Sequence, residues 1–216
     1  LTRGTEVTGY REGAWLRTTY KGKTAYIAVK HTANAKLNKK RIVENSGKVI
    51  RKSVNSYSGT LQVYFEDLET GYIYTNSNQK MYPASLAKLF IMGAVYEAAE
   101  KGDLSMTRYI KGQLERMITV SDNSAANNLL TSLQRTYPRR SVFSLIDAFC
   151  KKYGFNDTII HAYFAAGTYS YWYPSDYVMT TSARDVGKFM SKVYKGELIS
   201  AKASKEMLGR LSRQQI

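Results

Sequence analysis

The spacing of apolar and polar positions changes twice along the chain. From residue 5 to 29, Val7, Tyr10, Trp15, Leu16, Tyr26, Ile27 and Val29 fall in short runs between glycine-bearing turns at Arg11-Glu12-Gly13 and Lys21-Gly22-Lys23, which predicts short strands. Three strands with so few apolar residues are marginal on their own. Residues 34–56 hold seven Lys and Arg, one Glu and little periodicity, and read as an exposed basic linker. A hairpin is expected next: Leu61, Val63 and Phe65 alternate with Gln62, Tyr64 and Glu66, and Tyr72 to Thr75 follow a Glu69-Thr70-Gly71 turn. Tyrosines on both faces of that hairpin predict a sheet covered by helices on at least one side.

After residue 80 the period becomes helical. Leu86, Leu89, Phe90, Gly93, Ala94 and Ala98 share one side of a helix expected from about Ser85 to Gly102. Ile110, Leu114, Met117 and Ile118 mark a second helix, and Ala126, Leu129, Leu130 and Leu133 a third that ends before Pro138. Val142, Leu145, Ile146 and Phe149 mark a fourth, with Cys150 expected as a packing residue on its inner side. Ser182 with Asp185 reads as a capping box opening a helix with Val186, Phe189, Met190 and Val193, and a last helix is expected from Ser200 to Leu211. Two strands followed by a run of helices argue for an α/β class with segregated helices.

Composition narrows the function classes. The chain has 216 residues and a formal net charge of +15, from 32 Lys and Arg against 17 Asp and Glu. Residues 1–56 carry 13 of those cations against three acids, which suggests attraction to a polyanion or a plainly solvated surface. No zinc-finger spacing, recognition helix or RNP-like strand accompanies the charge, so no specific nucleic-acid recognition is expected. One cysteine rules out an intramolecular disulfide, and with His31 and His161 as the only histidines no metal or cofactor is implied. No run approaches the ~18 uncharged apolar residues that a membrane-spanning helix needs. Leu1 is not a start residue, so the expectation leaves room for a signal peptide or anchor upstream.

The candidate chemistry lies on the helices. Ser85 and Lys88 are three apart, which puts both on one helix face. A helix start favours negative charge developing near the serine, and a lysine in apolar surroundings sheds its proton more readily than in water. An N-cap serine with a surface lysine would show the same spacing. Ser121-Asp122-Asn123 lies between the second and third helices, and these residue types also serve as ordinary caps.

Taken together, Met81-Tyr82-Pro83-Ala84-Ser85-Leu86-Ala87-Lys88-Leu89, Met117 to Asn127 with its Ser121-Asp122-Asn123, Met179 to Val186, and Lys195-Gly196-Glu197-Leu198-Ile199-Ser200 resemble the penicillin-recognising serine hydrolases, specifically class A beta-lactamases and their relatives. The likeness runs from about Tyr57 to the end. It implies a beta-lactamase/transpeptidase-like α/β fold, an antiparallel sheet with a helical subdomain. It implies catalytic roles for Ser85 as nucleophile, for Lys88 as the base or as a member of the network that takes the serine proton, and for Ser121 as proton relay. Asn123 would bind the amide side chain of the substrate or orient Lys88, and Asp122 would brace the loop. The implied partners are beta-lactams or the D-alanyl-D-alanine ends of peptidoglycan peptides, in a secreted or cell-surface bacterial setting. A non-catalytic descendant binding wall material or a partner through the same cleft is the alternative.

Residues 5–29 separately resemble the latter half of a bacterial SH3-like (SH3b) domain, through Val7-Thr8-Gly9-Tyr10, Gly13-Ala14-Trp15-Leu16 and Gly22-Lys23-Thr24-Ala25-Tyr26-Ile27. That resemblance implies attachment to wall polymer, and the expected organisation is a partial SH3-like module over 1–33, a basic linker over 34–56 and a hydrolase domain over 57–216.

Two departures from the family pattern matter. Its third motif, Lys-Thr-Gly or Lys-Ser-Gly on a strand, does not occur up to Ile216, so the sequence is expected to be a piece of a longer protein with the C-terminal strands missing. Active class A enzymes also carry a deacylating glutamate in the loop before Thr180, yet no acid occurs between Asp157 and Asp176. The resemblance then implies acylation without efficient hydrolysis, with His161 as a conceivable substitute base and a partly buried structural histidine as the alternative. The aromatic run Tyr163, Phe164, Tyr169, Tyr171, Trp172, Tyr173 and Tyr177 could stack over substrate or pack the loop onto the body.

Overall fold

A computed structural model describes residues 5–32, 35–165 and 179–215, with 35–38 described in backbone only. The chain divides into two compact units, residues 1–58 with 67–73 and residues 59–66 with 74–216.

The first unit opens with a three-stranded antiparallel meander, β1 (Gly9–Glu12), β2 (Trp15–Tyr20) and β3 (Lys23–Ala28), in the order β1-β2-β3. Lys21 and Gly22, both at positive φ, make the two-residue turn that the twist of flanking strands favours. The register sets Tyr10, Arg17 and Tyr26 side by side across the three strands. Thr18 is buried, and its hydroxyl donates to Thr8 O at 2.6 Å.

The segment expected as a linker is instead a helix, α1 (Ala35–Asn55). Its Lys, Arg and Glu residues are good helix formers, and Val43, Gly47, Ile50 and Val54 are buried or half-buried at helical spacing. Gly47 hides the stripe in the sequence. It is small because Tyr72 lies against it, and a Cβ there would run into the Tyr72 ring. Asp67 closes the turn ahead of Tyr72, its carboxylate accepting from Thr70 N at 2.7 Å.

A two-stranded sheet pairs β4 (Tyr64–Glu66) with β5 (Ile73–Thr75), and the described residues of the second unit form six helices: α2 (Ala87–Glu100), α3 (Arg108–Thr119), α4 (Asn123–Thr136), α5 (Val142–Tyr153), α6 (Ala183–Lys195) and α7 (Ala201–Leu211). The α/β class with segregated helices holds, although the strands are shorter than the alternation suggests. Every residue of α2 from Ala87 to Ala98 is buried, Lys88 and Glu97 included, so the helix is enclosed all round and not only on the one side that its apolar spacing predicts. Phe90 packs edge-on against Phe155 and Phe189 at 5.4 and 5.5 Å between ring centroids. Cys150 packs in this core as expected, and burial raises its thiol pKa.

Side chains cap the helix starts. Thr107, Asp122, Ser141, Ser182 and Ser200 each accept from a backbone N–H in the first turn that follows. The expected capping box is half formed. Ser182 Oγ accepts from Asp185 N at 3.2 Å, but the Asp185 carboxylate takes hydrogen bonds from Asp157 N and Thr158 Oγ1, each at 2.8 Å. Asp185 thus fastens the start of α6 to the strand-like residues 157–160, of which Ile159 bridges to Thr180. On the other side of α6, Glu66 of β4 accepts from Ser191 and Lys195 at 2.9 and 2.7 Å.

Candidate active site

Ser85 lies on a single 3₁₀ turn, Ala84–Leu86, that runs directly into α2. The preceding Ala84 sits at φ 46°, a left-handed conformation that costs a non-glycine residue about 1 kcal/mol or more. The bonds of the turn begin with Leu86 N to Pro83 O at 2.9 Å, and the Ser85 N–H precedes them. Lys88, one turn on, is 2% exposed, so its amine has been carried out of water on the core side of the same helix.

Ser121 comes from the link between α3 and α4 and also has positive φ, at 54°. That turn is held by Asp122, which accepts from Ala125 N at 2.9 Å and is clasped by Arg116. Asp122 therefore braces the loop, as the sequence suggests. Asn123 is the first residue of α4.

The four residues singled out in the sequence meet at one point. Lys88 Nζ donates to Ser85 Oγ at 3.2 Å, Ser121 Oγ at 2.9 Å, Ser121 O at 2.5 Å and Asn123 Oδ1 at 2.7 Å, and Ser121 Oγ lies 2.8 Å from Ser85 Oγ. An ammonium has three hydrogens for these four acceptors. The Ser121 carbonyl and the Asn123 amide oxygen can only accept. A neutral amine satisfies both with its two hydrogens and leaves its lone pair for a serine hydroxyl proton. Burial lowers the Lys88 pKa to about 8, against the opposing pull of the Asp122 carboxylate. The arrangement can therefore take a proton from Ser85 near neutral pH and pass one through Ser121.

The opposite side of the cluster is built by residues 163–165. Asn123 Nδ2 donates to Ala165 O at 3.0 Å. Asn127, one turn further along α4 on the same face, grips Phe164 twice, Phe164 N to Oδ1 and Nδ2 to Phe164 O, each at 2.8 Å. The Phe164 ring, 3% exposed, lies over Lys88 with Nζ 5.1 Å from its centroid. Asn127 and Phe164 are structural members of the site that motif reading did not assign, and the Asn123/Asn127 spacing of four was the signal available. Of the aromatic run, Phe164 packs into the core and Tyr163 packs edge-on against Phe143, which is the packing alternative. Tyr169, Tyr171, Trp172, Tyr173 and Tyr177, with Asp176, lie outside the described residues.

Among the described residues, the side chains hydrogen-bonded to Ser85 Oγ are Lys88 and Ser121, and half-buried His161 is not one of them. Asp157 is engaged by the Ser182 hydroxyl at 2.8 Å. No group of three or more His, Cys, Asp or Glu among the described residues is placed to hold a metal ion. No helix among them is long and apolar enough to cross a membrane. An open cleft of about 520 Å³ adjoins the Ser85 turn, with Leu61, Val63, Met81, Tyr82, Leu86 and Val186 in its wall.

Comparison with known proteins gives a consistent result. The beta-lactamase from Sphaerobacter thermophilus superposes with a TM-score of 0.64 at 15% identity, over 79% of this chain and 70% of that one. The beta-lactamase from Streptosporangium roseum gives 0.61 at 18% identity, over 80% and 70%. An ancestral class A beta-lactamase gives 0.60 at 19% identity, over 78% and 71%. At these identities the likeness is one of fold. No curated protein sequence matches the chain. Residues 45–113 and 108–216 match the sequence model of the beta-lactamase enzyme family, which together span well over half of the chain, and the chain belongs to that family.

Proposed function

We propose that this protein is a serine enzyme acylated at Ser85 by beta-lactams or by the D-alanyl-D-alanine ends of wall peptides. One observation carries the reading: the dehydrated amine of Lys88 sits within hydrogen-bonding distance of Ser85 Oγ, with Ser121 bridging both. In the first step the Ser85 hydroxyl proton goes to Lys88 as Oγ bonds to the amide carbonyl carbon. The C–N bond then breaks, and the departing nitrogen receives a proton through Ser121, leaving an ester on Ser85. The Ser85 backbone N–H supplies one donor to the developing oxyanion. Asn123, in this reading, orients Lys88.

Hydrolysis of that ester needs an activated water. Residues 158–165 contain no acid, and the side chain over Lys88 is the hydrocarbon ring of Phe164. The enzyme is accordingly of the penicillin-binding or peptidase kind, slow to release a beta-lactam. The cationic N-terminal region and the three-stranded meander, in the SH3-like reading, support a place at the bacterial surface near anionic wall polymer.

The test is a labelled penicillin, followed by mass spectrometry of the adduct and a chase with unlabelled drug. The adduct is expected on Ser85, absent in Ser85→Ala, and formed about 10²–10⁴-fold more slowly in Lys88→Met. A base must be unprotonated to act, so the labelling rate should climb with pH and level off above about 8. Complete absence of adduct would favour a non-catalytic binding role, and rapid release would contradict the slow-hydrolysis reading.

A further inference from the structure

Lys88 is held on two sides by groups of different character. Toward Ser85, Ser121 and Asn123 it meets oxygen acceptors, while Phe164 presents an aromatic ring. That ring is not placed casually. Its backbone is gripped at both N–H and C=O by Asn127, itself 3% exposed, and the next carbonyl is held by the same Asn123 amide that holds Lys88. Two asparagines one turn apart on α4 therefore fix the ring and the amine in one frame.

We propose that Phe164 is a positioning residue of the site, whose ring both keeps water off Lys88 and attracts its charged form, and so decides how readily the amine sheds its proton. The two effects have opposite signs. Exclusion of water disfavours the ammonium, whereas the negative face of the ring favours it. The charged group bearing on Lys88 among the described residues is Asp122, from the α3–α4 link, and it is already paired with Arg116. His161 and Tyr163, earlier on the segment that carries Phe164, are the other titratable side chains there. The proposal deepens the reading of Lys88 as the base and takes its functional meaning from it.

The opposed signs give a test that mere structural support would not pass. The full 216-residue chain is labelled with carbon-13 at the lysine ε-carbons, and the Lys88 resonance is identified by its loss in Lys88→Arg. Its titration is then followed by NMR in each variant, with His161→Gln as a background that removes the neighbouring titration. Phe164→Leu keeps the site dry but removes the ring, so the Lys88 midpoint should fall by roughly 0.5–1 pH unit. Phe164→Ala admits water, so the midpoint should rise by about 1 unit. Phe164→Tyr, which keeps a ring, should restore the original midpoint.

A fall with Leu and a rise with Ala support the proposal, and any other pairing overturns it. Should Phe164→Ala fail to fold, the Leu arm decides alone, and an unchanged or raised midpoint there overturns the idea. No substrate enters this experiment. A protein that takes no penicillin label could still show the opposed shifts, and a labelled protein could lack them, so the two readings fail separately.

Discussion

Helix α2 and the N-terminal meander both draw on apolar and aromatic residues, yet they use them in contrasting ways. Along α2 every residue from Ala87 to Ala98 is buried, including Lys88 and Glu97. In the meander Thr18 is the one buried residue of the three strands, while Tyr10, Trp15, Tyr20 and Tyr26 remain exposed. Small residues explain part of the difference, since Ala87, Gly93, Ala94 and Ala98 let neighbouring helices come close to α2. The chemistry follows the packing. Exclusion of water disfavours the charged form of an amine and lowers the Lys88 pKa to about 8, and an amine on the open meander would lack that push.

The sharpest way to break the contrast is at the centre of the packed region. Phe90→Ala removes a ring that contacts both Phe155 and Phe189, and should cost about 3–5 kcal/mol in denaturant unfolding. A loss below about 1 kcal/mol would mean that this cluster is not what holds the helices together.

Two glycines refine the point at lower cost. Gly93 of α2 faces Phe149, and a Cβ there would run into the ring, so Gly93→Ala should destabilise by about 1–3 kcal/mol. Gly112 of α3 faces open space at an ordinary helical φ, so Gly112→Ala should stabilise by about 0.5–1 kcal/mol through helix propensity alone. Thermal and urea unfolding of the two variants beside the parent should separate them in sign. A neutral or stabilising Gly93→Ala would show that close approach to Phe149 is not what selects glycine there.

The sequence was legible where structure is local. Helix starts announced themselves through Ser182, Ser200 and Asp122, and the Ser85–Lys88 spacing predicted a shared face because residues three apart on a helix lie on one side. The meeting of Ser121 and Asn123 with Lys88 spans some 33–35 residues, and only the paired motifs made it readable. Three features escaped. The helix α1 was concealed because Gly47 breaks its stripe, and the reason for that glycine lies at Tyr72, outside the helix. The inward turn of Asp185 depends on Thr158 and Asp157, far back in the chain. The cover over Lys88 is supplied by Phe164, 76 positions away, and nothing in the local pattern distinguishes that aromatic from its neighbours.

The smallest expected effect tests the other side of the contrast. Tyr10 is 83% exposed on β1, and its ring stands beside Arg17 of β2 on the face that also carries Tyr26. A ring so open to water has little burial to lose, so Tyr10→Ala should change stability by no more than about 0.5 kcal/mol, the scale of one exposed cross-strand pair. Global unfolding could miss a change confined to the meander, so the measurement is amide hydrogen exchange at Arg17, Thr19 and the facing β3 residues. Unchanged protection would mean that the meander is held by its backbone ladder and by the buried Thr18 hydroxyl on Thr8, with the aromatic face contributing nothing to folding. Protection lowered tenfold or more, about 1.4 kcal/mol, would show that the exposed rings are structural and that packing density is a poor guide to where this chain keeps its stability.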